Sequence, residues 1–427
     1  VLLVLFGIFI VCLLISMPVI FSMGLGSMAS YLAIGQDLTV MVRRVVSSFK
    51  NFNQLAVPYF ILAGFIMAKG GVSERIFRFA RACVGHITGG LANVNVLASM
   101  IFAGISGSAI ADVGGLGYIE VKEMVRAGYD RGFSTAITLA SCVIGPIIPP
   151  SINMVLYAVI AQVSIARLFI AGILPGIMIG VVLMATNVFL VKTGRVVCPL
   201  EKRKSLKEIW VEFKRAFLSL AAPLIIILGI ATGFATPTEA GIIAILYSLL
   251  VTLVYRDVSF KELVRTFEES ILQFSAIMIL VGISLSMGWI FTATRAPHQI
   301  AAAILDMSRN PWIVLLIING VLFVLGFFLD PMPILLITTP IFVPLVQQVG
   351  VDLVQFGVLM SYTTLIGLMT PPAAVGLYVA AKTGGITYEE TLKSFMPFFV
   401  PLILAALLIS FWPGLSLTLP NLLFGVE

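Results

Sequence analysis

The sequence predicts an all-α polytopic membrane protein, and three observations carry that prediction. Hydrophobic residues make up 60% of the 427 positions and charged residues only 11%, with a mean hydropathy of +1.11. Soluble domains carry roughly 25% charged residues. Several apolar runs reach the length of about 20 residues that crosses a bilayer core. The runs are continuous and do not alternate, which argues against a β-barrel.

The formal net charge of +6 is not a nucleic-acid signal, because eight of the 26 Lys and Arg residues lie between Lys192 and Arg215. With Pro199 among them, they read as a basic loop, cytoplasmic by the positive-inside rule. Cys12, Cys83, Cys142 and Cys198 form no CxxC pair and read as free thiols. Two histidines, His86 and His298, are too few for a transition-metal site. No P-loop is present, which argues against a primary pump.

Taken in order, residues 1–35 make one or two apolar passes. Val1 to Ile15 lacks a basic leader and reads as a membrane helix, not a signal peptide. In Asp37–Lys50, Val42, Val45, Val46 and Phe49 fall at i, i+3, i+4 and i+7 with Arg43 and Arg44 between them, the pattern of a surface-lying amphipathic helix. Gln54–Met67 is apolar again, and Lys69–Arg81 reads as a short basic loop. Val94–Phe102 then leads into Gly104-Ile105-Ser106-Gly107-Ser108-Ala109-Ile110-Ala111-Asp112. Glycines, hydroxyls and a carboxylate in membrane-grade sequence are costly unless their groups line a cavity or meet an ion. Phe133–Ile144 is apolar and ends at Gly145-Pro146-Ile147-Ile148-Pro149-Pro150-Ser151, where the prolines must stop a helix. Leu168–Val191 is a full span. After the basic loop come Phe217–Phe234 and Ala240–Val254. Asp257–Ser270 repeats the amphipathic pattern at Phe260, Leu263, Val264 and Phe267, and Ser259 with Glu262 makes a capping box.

The chain contains an internal duplication. At an offset of 222, Gly104 matches Gly326, Gly128 matches Gly350, Asp130 matches Asp352, Gly145 matches Gly367, Pro149-Pro150 match Pro371-Pro372, and Pro175 matches Pro397. Val96–Ala103 and Ile313–Leu325 are too short to span and each meets a break, as in a re-entrant hairpin. Matched halves with Gly/Pro-interrupted apolar segments point to a secondary transporter whose sites lie where the breaks meet. The boundaries read as 1–51 (scaffold helices and first amphipathic arm), 52–191 (first repeat), 192–270 (basic loop, scaffold helices, second arm) and 271–427 (second repeat and C-terminal helix).

The GISGSAIAD run, the Ile-Gly-x-x-x-Pro-Pro breaks, Thr236-Pro237-Thr238-Glu239-Ala240 and Thr370-Pro371-Pro372 resemble the large membrane subunit of tripartite ATP-independent periplasmic (TRAP) transporters, and the resemblance covers essentially the whole chain. It implies an inverted-repeat, elevator-type transporter with two re-entrant hairpins and two broken helices in a bacterial inner membrane. It also implies coupling to Na⁺, a small membrane subunit as partner, and a periplasmic substrate-binding protein that delivers an organic acid. The length leads us to expect that the small subunit is not fused to this chain. No organic cofactor is expected.

Individual residues can be weighed within that frame. The expected sodium set is Gly104, Ser106, Gly107, Gly145, Gly326, Asp330, Gly367, Thr370 and Pro371, because Na⁺ takes neutral and anionic oxygens from unwound segments. Thr338 and Thr339 are further hydroxyls near the breaks. The expected substrate set is Ser108, Ser151, Arg295 and Asp330. Arg295 offers a planar guanidinium for a carboxylate, or else snorkels at a helix end. Asp330 could be a cation ligand, a proton carrier, a partner of Arg295 or an interfacial helix end. Asp112 either serves the site or caps the next helix. Glu239 reads as structural, at a helix start. His86 and Lys382 read as interfacial. A stand-alone carboxylate/sodium symporter is the near alternative. A rhomboid-like intramembrane serine protease using Gly104-Ile105-Ser106-Gly107 is the remote one, since a base must lie within hydrogen-bond reach of Ser106.

Overall fold

Proline, glycine and capping side chains divide the chain into helices. The computed structural model describes residues 1–50, 52–199, 201–371 and 374–425, without the side chains of Asn53, Ser106 and Ala111, and its regular elements are all helical. Six helices among the described residues are long and apolar enough to cross a membrane, or seven if one bent pair counts as a single span.

Leu2–Leu14 and Val19–Ala33 pack along each other, separated by the turn at Pro18. The first amphipathic helix is Leu38–Ser48, capped by Asp37, whose carboxylate accepts the Thr39 N–H at 2.7 Å. Ala56–Lys69 and Val72–Val84 follow, bent by 71° at the left-handed Gly71. The expected basic loop at Lys69–Arg81 is therefore mostly helix. Val72, Ile76, Phe77 and Ala80 are buried on one face, while Arg75, Arg78 and Arg81 pair with Asp257, Glu74 and Glu201 on the other. Charge alone marks this arginine-rich stretch as a loop, but its apolar residues recur at helical spacing and bury one face.

The first hairpin is Gly90–Ser106 followed by Ala109–Gly114 and Leu116–Arg126. Its first arm is longer than the apolar run because Asn93, Asn95 and Ser99 are buried within it and hydrogen-bonded. Arg131–Ser141 continues into a 3₁₀ turn at Cys142–Ile144, breaks over residues 145–151, resumes as Ile152–Ala161, and leads to the 28-residue Ile165–Lys192.

The basic loop is shorter than expected. Leu206–Ala231 begins inside it, nucleated by a reciprocal Ser205–Glu208 capping box and anchored by stacking of Trp210 on Phe213, which in turn meets Phe79. Pro237–Tyr255 starts with the Thr236–Glu239 capping box, which gives Glu239 the structural role expected of it. The Glu239 carboxylate accepts hydrogen bonds from the backbone N–H and the hydroxyl of Thr236, each at 2.8 Å.

The second amphipathic segment is not a separate arm. It forms the first turns of one 34-residue helix, Phe260–Ala293, opened by the Ser259–Glu262 capping box. The boundary drawn between 270 and 271 falls inside it. The first copy ends at Ser48, whereas Glu268-Glu269-Ser270 is compatible with helix and Arg265–Glu269 supports it at i, i+4.

Ala296–Met307, Pro311–Gly326, Pro331–Gln348, Leu353–Leu368, Val375–Gly384, Tyr388–Phe411 and Pro413–Phe424 complete the chain. Pro331–Gln348, the second arm of the second hairpin, is itself long enough to cross.

Matched positions in the two halves do matched local work. Gly71 (φ +63°) and Arg295 (φ +53°) each precede a helix in the left-handed conformation. Asp130 and Asp352 each cap the helix that enters a break. Ser141 donates to Asn95 at 2.7 Å, and Thr363 donates to Asn319 at 2.9 Å, so each hairpin's first arm is tied to its neighbouring broken helix.

Candidate functional site

The two hairpin turns converge on one cavity of about 500 Å³. From the first half come Gly107, Ser108, Ala109 and Ile110, together with Pro146 and Asn153 of the Pro-rich break and its following helix. From the second half come Asp330, Pro331 and Met332, with Leu365 and Leu368 at the end of Leu353–Leu368. The long helix Phe260–Ala293 closes one wall with Gln273, Ala276 and Ile277, and Phe65 completes it.

Each turn is seated by close backbone approach. Gly107 ends its helix at φ +60°, and a Cβ there would lie 2.9 Å from the Pro150 carbonyl. A Cβ on Gly104 would collide with Pro223 and lie 3.3 Å from the Pro149 carbonyl. In the second half Gly326 rests on Gly367, where a Cβ would come within 2.6 Å of the opposing Cα. Glycine at these places is a steric requirement.

The helix ends around the cavity have mixed polarity. Ile152–Ala161 and Pro331–Gln348 present N-termini, with partial positive charge, through Asn153 and through Pro331 and Met332. Gly90–Ser106 and Leu353–Leu368 present C-termini, with partial negative charge, through Gly107 and Leu368. Asp330 occupies the N-cap position of Pro331–Gln348 without a side-chain cap bond, and it lines the cavity.

Of the residues expected at the site, the structure gathers Gly107, Ser108 and Asp330 at this cavity. Gly104, Gly145, Gly326 and Gly367 stand behind it as packing positions. Asp112 is buried against Gly145 and does not cap Leu116–Arg126, whose N-cap is Gly115. Ser151 caps its own helix: it accepts the Met154 N–H and donates to the Pro146 carbonyl at 2.5 Å. Thr338 and Thr370 donate to carbonyls four residues back, Ile334 and Ile366, and the Thr339 hydroxyl faces the Met360 sulfur at 4.0 Å. Pro371 is in an exposed turn; Pro372 and the Ser106 side chain lie outside the described residues.

Arg295 is not at the cavity. It is exposed in the turn between Phe260–Ala293 and Ala296–Met307. The helix leading to it ends at Ala293, 16 residues beyond Ile277 of the cavity lining, about 24 Å at 1.5 Å per residue. No arginine, lysine or histidine lines the cavity among the described residues, and none of the residues outside the description is basic.

Sequence reasoning missed Asn153 and Gln273. Both carry a signal as neutral amides beside apolar residues, one two residues after Ser151 and one between Leu272 and Phe274. Charge had drawn attention to Asp330 and Arg295 instead.

A polytopic helical protein whose interrupted helices meet at a central cavity has the architecture of a membrane transporter. The comparisons with known proteins specify which kind. Residues 6–415 match the family model of the tripartite ATP-independent periplasmic transporter, DctM component, and the chain belongs to that family. It is 38% identical over 412 residues to the sialic acid TRAP transporter large permease protein SiaM of Vibrio cholerae, covering 96% of each chain. It is 35% identical to the C4-dicarboxylate TRAP transporter large permease protein DctM of Pseudomonas aeruginosa, covering 94% of each. It also matches the sialic acid TRAP transporter permease protein SiaT of Haemophilus influenzae at 38% identity, over 89% of this chain and 62% of that longer one. The protein is thus a multi-pass inner-membrane permease subunit and not an enzyme. Membership implies a small membrane subunit and a periplasmic binding protein as partners.

Proposed function

We propose that this permease imports an organic acid, delivered by the periplasmic binding protein, by coupling its movement to Na⁺. The observation that carries the reading is the meeting of Gly107-Ser108 and Asp330 at one cavity ringed by helix ends of both polarities. N-terminal backbone amides suit an anion, and C-terminal carbonyls with the Asp330 carboxylate suit Na⁺. The named cargoes of the relatives, sialic acid and C4-dicarboxylates, are both acids. The matched halves support an inverted repeat, and alternating access by an elevator movement would carry both hairpin turns together past Phe260–Ala293.

The test is uptake into proteoliposomes containing the permease with its small subunit. Radiolabelled organic acid bound to the periplasmic protein should accumulate only under an inward Na⁺ gradient. Accumulation that ignores Na⁺ would remove the coupling, and accumulation of free acid without the binding protein would favour a stand-alone symporter.

A further inference from the structure

The cavity holds a second layer of information, in its neutral amides. Asn153 is only 4% exposed, lines the cavity, and has no hydrogen-bond partner among the described residues. Its amide is not among the fully enclosed groups left without a partner, so it opens onto the cavity, where a ligand can meet it. The buried amides Asn93, Asn95, Asn187, Asn319 and Gln355 each make at least one bond to a protein group, and Gln54, buried without one, is not in the cavity lining. Asn153 is not needed as a helix cap either, because Ser151 already accepts the Met154 N–H. Across the cavity Gln273 is half-buried and likewise has no partner among the described residues.

We propose that Asn153 and Gln273 are specificity-determining residues, and that the cavity selects a monocarboxylate bearing hydroxyl or carbonyl groups over a dicarboxylate. This inference rests on the organic-acid reading above. Each amide offers two N–H donors and one carbonyl acceptor, the complement of a hydroxylated or keto chain. The charge inventory points the same way. Among the described residues, Asp330 is the one ionisable side chain in the lining, and it is an acid. One substrate carboxylate can be balanced by helix N-termini and a coupling cation. A second would be desolvated without a counter-charge, which low-dielectric surroundings penalise heavily. About 500 Å³ accommodates an acid of several carbons.

The experiment uses the purified permease with its small subunit in detergent and reads Na⁺-dependent binding directly, apart from the soluble receptor. The probes are L-lactate and D-gluconate as hydroxy monoacids, butyrate as an apolar monoacid, and succinate and L-malate as dicarboxylates. At least one hydroxy monoacid should bind more tightly than either dicarboxylate. Asn153→Leu and Gln273→Leu should each weaken that acid by about tenfold or more and change butyrate by less than twofold. Tighter binding of a dicarboxylate, or unchanged binding by both variants, overturns the selectivity while leaving organic-acid transport in place. If no probe acid binds, both readings fall. Stability without ligand gives a check independent of binding: Asn153→Leu should leave the thermal midpoint unchanged or raise it, because an unpartnered amide is removed. A clear drop assigns Asn153 to the fold and overturns its role in selection.

Discussion

Gly326 and Gly367 touch across the second half of the molecule: a Cβ on Gly326 would lie 2.6 Å from the Gly367 Cα, and one on Gly367 would lie 2.7 Å from the Gly326 Cα. The hairpin turn and the broken helix are thereby fixed against each other at backbone distance. Gly326→Ala and Gly367→Ala should each lower the thermal midpoint and strongly reduce uptake, because the opposing atoms are backbone and cannot step aside. Gly320→Ala, in the same helix with nothing within 4 Å, is the control. It should be neutral or stabilise by up to about 1 kcal/mol. Equal behaviour of Gly326→Ala and Gly320→Ala in a melting experiment would show that the contact is dispensable.

Gly282 plays a comparable part where the first amphipathic helix crosses Phe260–Ala293. A Cβ there would meet Val45 Cγ1 at 2.9 Å and the Val45 carbonyl at 3.3 Å. Tyr31, stacked on Trp289 at 4.9 Å and bonded to Ser286 at 3.0 Å, holds Val19–Ala33 to the same stretch. Gly282→Val should lift Leu38–Ser48 off its seat. Amide hydrogen exchange across residues 38–48 should accelerate at least tenfold while the hairpins keep their protection.

Asn319 joins three elements, accepting from Thr363 at 2.9 Å and donating to Ser410 at 2.8 Å, all buried. Asn319→Leu leaves the Thr363 hydroxyl without its acceptor, at a cost of about 1–3 kcal/mol. Pairing it with Thr363→Val should recover part of that loss. Strictly additive losses in a double-mutant cycle would mean that the two side chains do not act as a unit.

The helices and breaks of this fold were legible because Gly, Pro and capping residues act locally. The Ser259–Glu262 capping box, the helix start at Glu239 and the interruption after Ile144 could all be read from short windows. The errors came where charge was taken as a sign of loop: Arg75, Arg78 and Arg81 lie on a helix, and so do Lys207, Lys214 and Arg215. The cavity was legible only in part. Gly107, Ser108 and Asp330 sit at the turns that repeat and composition single out, whereas Asn153 and Gln273 are brought together by packing between elements 120 residues apart in sequence. Each amide is visible locally, but its meeting with the other across that distance leaves no local trace.

Asp330 tests the coupling ion. Its carboxylate faces the cavity from a helix N-terminus without capping it. Asp330→Asn keeps the shape and removes the charge. If Asp330 supplies an anionic oxygen to Na⁺, uptake should fall at least tenfold and the Na⁺ concentration for half-maximal uptake should rise. The thermal midpoint without Na⁺ should hold, because no cap is lost. Wild-type Na⁺ dependence in Asp330→Asn would return the residue to the status of a helix end.

Arg295 separates sequence logic from geometry. Residue chemistry alone nominates it for the substrate carboxylate, because its guanidinium can bind such a group bidentately. In the fold it is exposed at the turn just past Ala293, which lies about 24 Å along the helix from Ile277 of the cavity lining. Its backbone is left-handed, at φ +53°, matching Gly71 in the first half. Its position is thus set by the bend between two helices, and the side chain is free to reach the membrane surface. Arg295→Ala should therefore retain at least half of wild-type uptake with an unchanged apparent affinity for the loaded binding protein. Arg295→Gly should melt at the same temperature or slightly higher, since glycine adopts the left-handed region without strain. Abolished uptake in Arg295→Ala, with the protein folded, would mean that the arginine meets the substrate in another state of the transport cycle and that the cavity described here is not its only anion site.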